Sequence, residues 1–114
     1  MEIYYRLYVS ESLKEKKARI LRRLKKNRLQ PGLYLLAFEK RERPTLEIFL
    51  SLLLKQELLR KKEWMIVGIA SGYDEALELV RDLTEQVYQN TGGTDICAYV
   101  LNEQAAYKEG KRQV

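Results

Sequence analysis

Pro44-Thr-Leu-Glu-Ile-Phe-Leu-Ser-Leu-Leu-Leu-Lys-Gln-Glu-Leu-Leu-Arg-Lys61 is the stretch on which the fold turns, because it joins two short apolar runs that read as strands. Taken as a helix of about 44–61, it makes every strand-to-strand connection in the chain a crossover and the sheet mostly parallel. Three features favour the helix. Pro44 suits a first helical turn, Glu47, Ser51 and Lys55 form a polar stripe at four-residue spacing, and Arg60, Lys61 and Lys62 complement the negative end of the dipole. Leu46, Ile48, Phe49, Leu50, Leu52, Leu53, Leu54, Leu58 and Leu59 occupy the remaining circumference.

On either side of this stretch, Leu33–Phe38 and Trp64–Ala70 are continuous apolar runs of the kind that fill a strand buried on both faces. Glu39–Arg43 is a charged loop, and Pro31-Gly32 closes the connection before it. Further upstream, Ile3–Val9 alternates and is rich in β-formers, with Ile3, Tyr5, Leu7 and Val9 on one face and Tyr4, Arg6 and Tyr8 on the other. Ser12 with Glu15 spells a capping box for a helix running to about Asn27, whose narrow apolar stripe is Leu13, Ile20, Leu21 and Leu24. Downstream, Ser71-Gly-Tyr-Asp74 opens another helix and Asn90-Thr-Gly-Gly93 stops it. Its inner face reads as Tyr73, Ala76, Leu77, Val80, Leu83 and Val87, with Asp74, Glu78, Asp82 and Glu85 on the solvated side. Thr94–Leu101 reads as the fourth strand, and residues 103–114 as a polar C-terminal tail beyond a 1–102 domain. The expected fold is thus single-domain α/β in βαβαβαβ order, a four-stranded mostly parallel sheet with three helices. Three helices leave apolar sheet uncovered, so self-association as a homodimer is expected, with Phe49, Leu52, Leu53 and Leu59 at the interface.

Charge is distributed unevenly. Residues 11–29 hold nine Lys and Arg against two Glu, a net +7, while the other 95 residues sum to −2. The overall +5 therefore comes from one short segment. The expected function is that of a non-enzymatic protein acting through protein interaction; as an alternative to an ordinary solvated helix, a cationic surface this localised would meet nucleic acid or an acidic protein through Lys14, Lys16, Arg19, Arg22, Arg23, Lys25, Lys26 and Arg28. Tyr4, Arg6 and Tyr8 would add stacking if their strand face is open. An anionic membrane surface is disfavoured, since the apolar stripe lacks Trp and Phe and belongs to the core.

Several function classes fall away. The chain has no His and one Cys, which removes Ser-His and Cys-His nucleophile pairs, disulfide frameworks and cysteine metal sites. No cofactor or metal is expected, and catalysis is not the leading expectation. Cys97 among apolar neighbours reads as a buried thiol without reactivity. No run approaches the roughly 20 apolar residues of a membrane span. MEIYYRLYVSES has no basic start before an apolar core, so a cytoplasmic protein without a signal peptide is expected. Gly68-Ile-Ala-Ser-Gly72 lacks dinucleotide-fingerprint spacing, and no Gly-Lys-Ser/Thr follows. In a parallel sheet, however, Ser71 and Gly72 would stand at a helix N-terminus beside Lys40, Arg41 and Arg43, a set suited to a small anionic ligand.

Overall fold

Pro44–Lys61 is not one helix. In the computed structural model, which describes residues 1–28 and 30–112, Glu47–Leu50 is a strand, Ser51–Lys55 a 3-10 turn and Glu57–Arg60 a single helical turn. An all-round apolar helix would bury one stripe and leave its other leucines in water. As a strand, the same residues send Leu46 and Ile48 to one side and Phe49 to the other, so both sets find cores.

The chain runs β1 (Glu2–Val9), a 3-10 turn (Glu11–Lys16), α1 (Lys17–Lys25), β2 (Tyr34–Glu39), β3 (Glu47–Leu50), the 3-10 turn, α2 (Glu57–Arg60), β4 (Trp64–Ala70), α3 (Tyr73–Thr91) and α4 (Ile96–Arg112). The expected βαβαβαβ order and mostly parallel sheet are corrected on two counts. Residues 40–46 connect β2 and β3 as an antiparallel pair, in the register Tyr34↔Leu50 to Ala37↔Glu47. The sheet is mixed, in the order β1-β4-β2-β3, and only β1 and β4 are parallel.

A further correction is at the C-terminal end. Thr94–Leu101 is not a strand, and residues 103–112 are not a loose tail: both lie mostly within α4. Asp95 Oδ1 accepts from the Ala98 amide at 3.1 Å, capping the helix start. Cys97, Val100 and Gln104 then fall on one helical face and are buried. Gln113 and Val114 of the expected tail lie outside the described residues, as does Leu29 of the basic segment. The described chain therefore has four helices rather than three, and α4 covers the sheet area expected to drive self-association.

The sheet separates two apolar clusters. α3 and α4 cover one face, where Tyr4, Leu36, Phe38, Met65 and Val67 meet Ala76, Leu79, Leu83, Val87, Cys97 and Val100. Leu13, Ile20, Leu24 and Leu54, from α1 and the two 3-10 turns, cover the other over Leu35, Ala37, Trp64, Ile66 and Ile69. All of β4 is buried, as its unbroken apolar run implies. Gly68 suits the close approach there: a Cβ would lie 3.1 Å from the Tyr8 carbonyl oxygen and 3.3 Å from Leu79 Cδ1, tight contacts where β1 shifts register against β4. The inner face of α3 is Ala76, Leu79, Leu83 and Val87; Tyr73 and Leu77, expected inside, are exposed. α3 ends at Gly92, whose left-handed φ of 74° matches the expected stop.

The two sheet edges differ. Gln104 of α4 reaches the β1 edge, accepting from the Tyr5 amide at 2.9 Å and donating to the Ile3 carbonyl at 3.2 Å. Tyr107 stacks on Tyr5 with ring centroids 4.2 Å apart. Among the described residues β3 is the other edge strand, with no strand paired beyond it. No described helix is long and apolar enough to cross a membrane.

Candidate functional site

The basic segment is exposed along its length. Leu13, Ile20 and Leu24 turn into the core beneath it, leaving the side chains of Lys14, Lys16, Lys17, Arg19, Arg22, Arg23, Lys25, Lys26 and Arg28 exposed. The expected Ser12/Glu15 capping box is not formed, and a 3-10 turn leads into α1 instead. Among the described residues only Lys14 of these nine cations has a carboxylate partner, Glu11 at 2.7 Å. The other eight lie unpaired on the α1 side of the sheet. The opposite layer, residues 73–112, carries eight acidic and four basic side chains, and its Asp74, Glu78, Asp82 and Glu85 are all exposed. The molecule thus has a cationic and an anionic face separated by the sheet.

At the end of α1 the backbone closes through two hydrogen bonds. The Asn27 amide donates to the Leu24 carbonyl at 3.1 Å and the Arg28 amide to the Arg23 carbonyl at 3.0 Å, with Asn27 in the left-handed region at φ 54°. Lys55 arrives from the Ser51–Lys55 turn and donates from Nζ to the Asn27 carbonyl at 3.0 Å. Arg23, Asn27, Arg28 and Lys55 line an open cavity of about 440 Å³. Beside it, Leu24, Leu52 and Leu54 form the apolar wall of the crevice between α1 and the turn. Lys55 was not among the residues the sequence singled out, since in a 44–61 helix it belongs to a solvated stripe. Asn27 after a lysine-rich last turn was the available signal, because Asn there marks a left-handed helix stop.

The anion site expected around Ser71 is not assembled. Because β2 runs antiparallel to β4, Lys40, Arg41 and Arg43 follow the end of β2 beside Trp64, at the opposite end of β4 from Ser71. Seven strand residues separate the two ends, roughly 20 Å. Lys40 pairs with Glu2, and Arg41 with Glu39 at 3.9 Å. Ser71 and Ser12 instead donate to Glu75, the Ser12 bond being 2.9 Å, and these hydroxyls hold the Glu75 carboxyl below its ordinary range. A carboxylate already stands where the ligand anion would sit.

Nor is the Tyr4, Arg6 and Tyr8 face an open stacking platform. Tyr4 is only 2% exposed, packed under α3 and α4. Burial raises both the Tyr4 and Tyr8 hydroxyls. The strand borders an open depression of about 410 Å³ with Lys14, Asp82 and Tyr99. Its cations are already engaged, Arg6 by Glu103 at 3.4 Å and Lys14 by Glu11. Cys97 is buried as expected, in a helix rather than a strand, and desolvation pushes its thiol up to about 11. Among the described residues no group of three or more Cys, Asp or Glu could hold a metal ion.

Of the expected interface residues, Phe49 packs on Trp64 with centroids 5.0 Å apart, and Leu52 and Leu59 are half-buried. Leu53 alone is exposed, at 38%. No protein-family model, curated protein or solved structure matches the chain.

Proposed function

We propose that this domain is a non-catalytic binding module whose partner is the phosphate backbone of nucleic acid, engaged by the exposed cations of residues 14–28. One observation carries the reading: eight cations stand together without carboxylate partners, on the sheet face opposite the acidic layer. Unpaired exposed Lys and Arg retain their full attraction for phosphates, and neutralising several phosphates releases condensed counterions. Contacts of this kind fix position on a strand without reading its sequence. A membrane partner fits less well, because the apolar side of α1 is spent on the core and has nothing to insert.

Fluorescence anisotropy with labelled single-stranded and duplex oligonucleotides tests this. Affinity is expected to fall by about 10³ or more between about 50 and 200 mM salt if six or more phosphates are contacted. The triple variant Arg22→Glu, Arg23→Glu, Lys26→Glu should keep its circular-dichroism spectrum and lose binding. Absence of binding at low salt, or binding indifferent to salt, would refute the reading.

Self-association is a second reading, favoured by the unpaired outer edge of β3 among the described residues, with Leu53 exposed just beyond it. Sedimentation followed at 260 and 280 nm separates the two. A dimer free of nucleic acid supports the second reading, and nucleic acid that departs at high salt supports the first.

A further inference from the structure

We propose that the open cavity at the last turn of α1, beside the Ser51–Lys55 turn, is a phosphate site, with Arg23, Arg28 and Lys55 holding the oxyanion. The site deepens the nucleic-acid reading by fixing where one backbone phosphate sits, and it rests on that reading for the source of the phosphate.

The two-bond helix stop at Asn27 sets the geometry. In such a stop the residue three places before the helix cap and the one two places after it are brought together, and an apolar pair usually meets there. Here those positions are Arg23 and Arg28. Two cations thus stand where an apolar pair is usual. No carboxylate among the described residues relieves their repulsion. Lys55 adds a third cation from a separate segment, tethered by its bond to the Asn27 carbonyl. Three like charges on one cavity of about 440 Å³ cost free energy in the empty state. An oxyanion turns that repulsion into charge-assisted hydrogen bonds.

A helix C-terminus ordinarily repels anions through its exposed carbonyls. At this one the Arg23 carbonyl accepts from the Arg28 amide, the Leu24 carbonyl from the Asn27 amide and the Asn27 carbonyl from Lys55. The opposing dipole is blunted where the ligand would approach.

The test is a titration of the ¹⁵N-labelled protein with inorganic phosphate, paired with oligo(dT) binding. Saturable amide shifts at Asn27, Arg28 and Lys55 are expected in the wild type and lost in Arg28→Gln/Lys55→Gln. A charge-matched control, Arg41→Gln/Arg43→Gln, should retain them. The Arg28→Gln/Lys55→Gln variant should also bind oligo(dT) about tenfold more weakly at low salt, with a salt slope smaller by about 1. Melting temperatures of all three proteins exclude a folding effect. No saturable shift in the wild type, equal loss in the control, or undiminished oligo(dT) binding by Arg28→Gln/Lys55→Gln would overturn the site. Site-specific phosphate shifts in a protein that ignores oligo(dT) would instead keep the site and remove the nucleic-acid reading.

Discussion

The two faces of the sheet are covered in different ways. On one, α3 and α4 are long and regular, α3 is strongly acidic, and they are tied to the strands through Gln104, Glu2 and a closed apolar cluster. On the other, short helical pieces and 3-10 turns bury only narrow stripes and leave a dense cationic surface outside. The first layer spends its side chains on holding the fold. The second holds the fold with a few leucines, and its charges remain available to a partner.

The largest expected effect distinguishes the two cores directly. Leu83, on the inner face of α3, is fully enclosed, so Leu83→Ala should cost in the upper part of the range of about 2–5 kcal/mol for such truncations. Leu24 is nearly as buried but borders the crevice, where a truncation opens to water rather than leaving a sealed void. Leu24→Ala should fall near the lower end, about 2 kcal/mol. Urea denaturation of both variants measures the gap. Equal losses would mean that the basic layer is packed as tightly as the acidic one.

A smaller effect should appear in acid. Burial alone would raise the Glu2 carboxyl, but hydrogen bonds from Lys108, Lys40 and Gln104 outweigh it and bring it from 4.5 down to about 2. A carboxyl depressed in the folded state contributes stability that is fully present above its unfolded value and lost as pH falls through the folded one. The contribution should therefore hold above about pH 4.5 and disappear as pH falls towards 2. Glu2→Gln should melt below the wild type at pH 6, with the difference closing as the pH approaches 2. A constant difference across that window would show that Glu2 acts through shape alone, and that α4 is not fastened to β1 and the end of β2 by charge.

The same contrast explains what could be read in the chain. β2 and β4 were legible because six- and seven-residue apolar runs have one obvious burial, and α3 because its start and its Gly92 stop are both spelled locally. Pro44–Lys61 misled because leucine fits either periodicity. Ile48 and Phe49 become strand residues only when β2 offers a partner on the far side of a charged hairpin. Ile96–Val100 misled for the converse reason: β-branched residues there are helical because α3 and β1 leave a slot that one helical face fills. The cationic segment was visible as charge alone. Its cavity was not, since Lys55 joins Arg23 and Arg28 only through tertiary packing.

The smallest expected effect decides whether the cationic layer is there for the fold at all. Arg22 lies in the last turn of α1, where a cation gains about 0.3–1 kcal/mol from the helix dipole. Three of its helical neighbours at spacings of three and four, Arg19, Lys25 and Lys26, are also cations, each costing about 0.2–0.5 kcal/mol. The terms nearly cancel, so Arg22→Gln should change stability by less than about 0.5 kcal/mol at moderate salt. At low ionic strength the variant should be the more stable of the two, with the difference shrinking as salt screens the repulsion. A loss above about 1 kcal/mol would make Arg22 a structural residue, because surface changes away from special features rarely cost so much. Near-neutrality in thermal melts, combined with weakened oligonucleotide binding by the same variant, would locate the effect of this charge in the bound complex rather than in the folded chain.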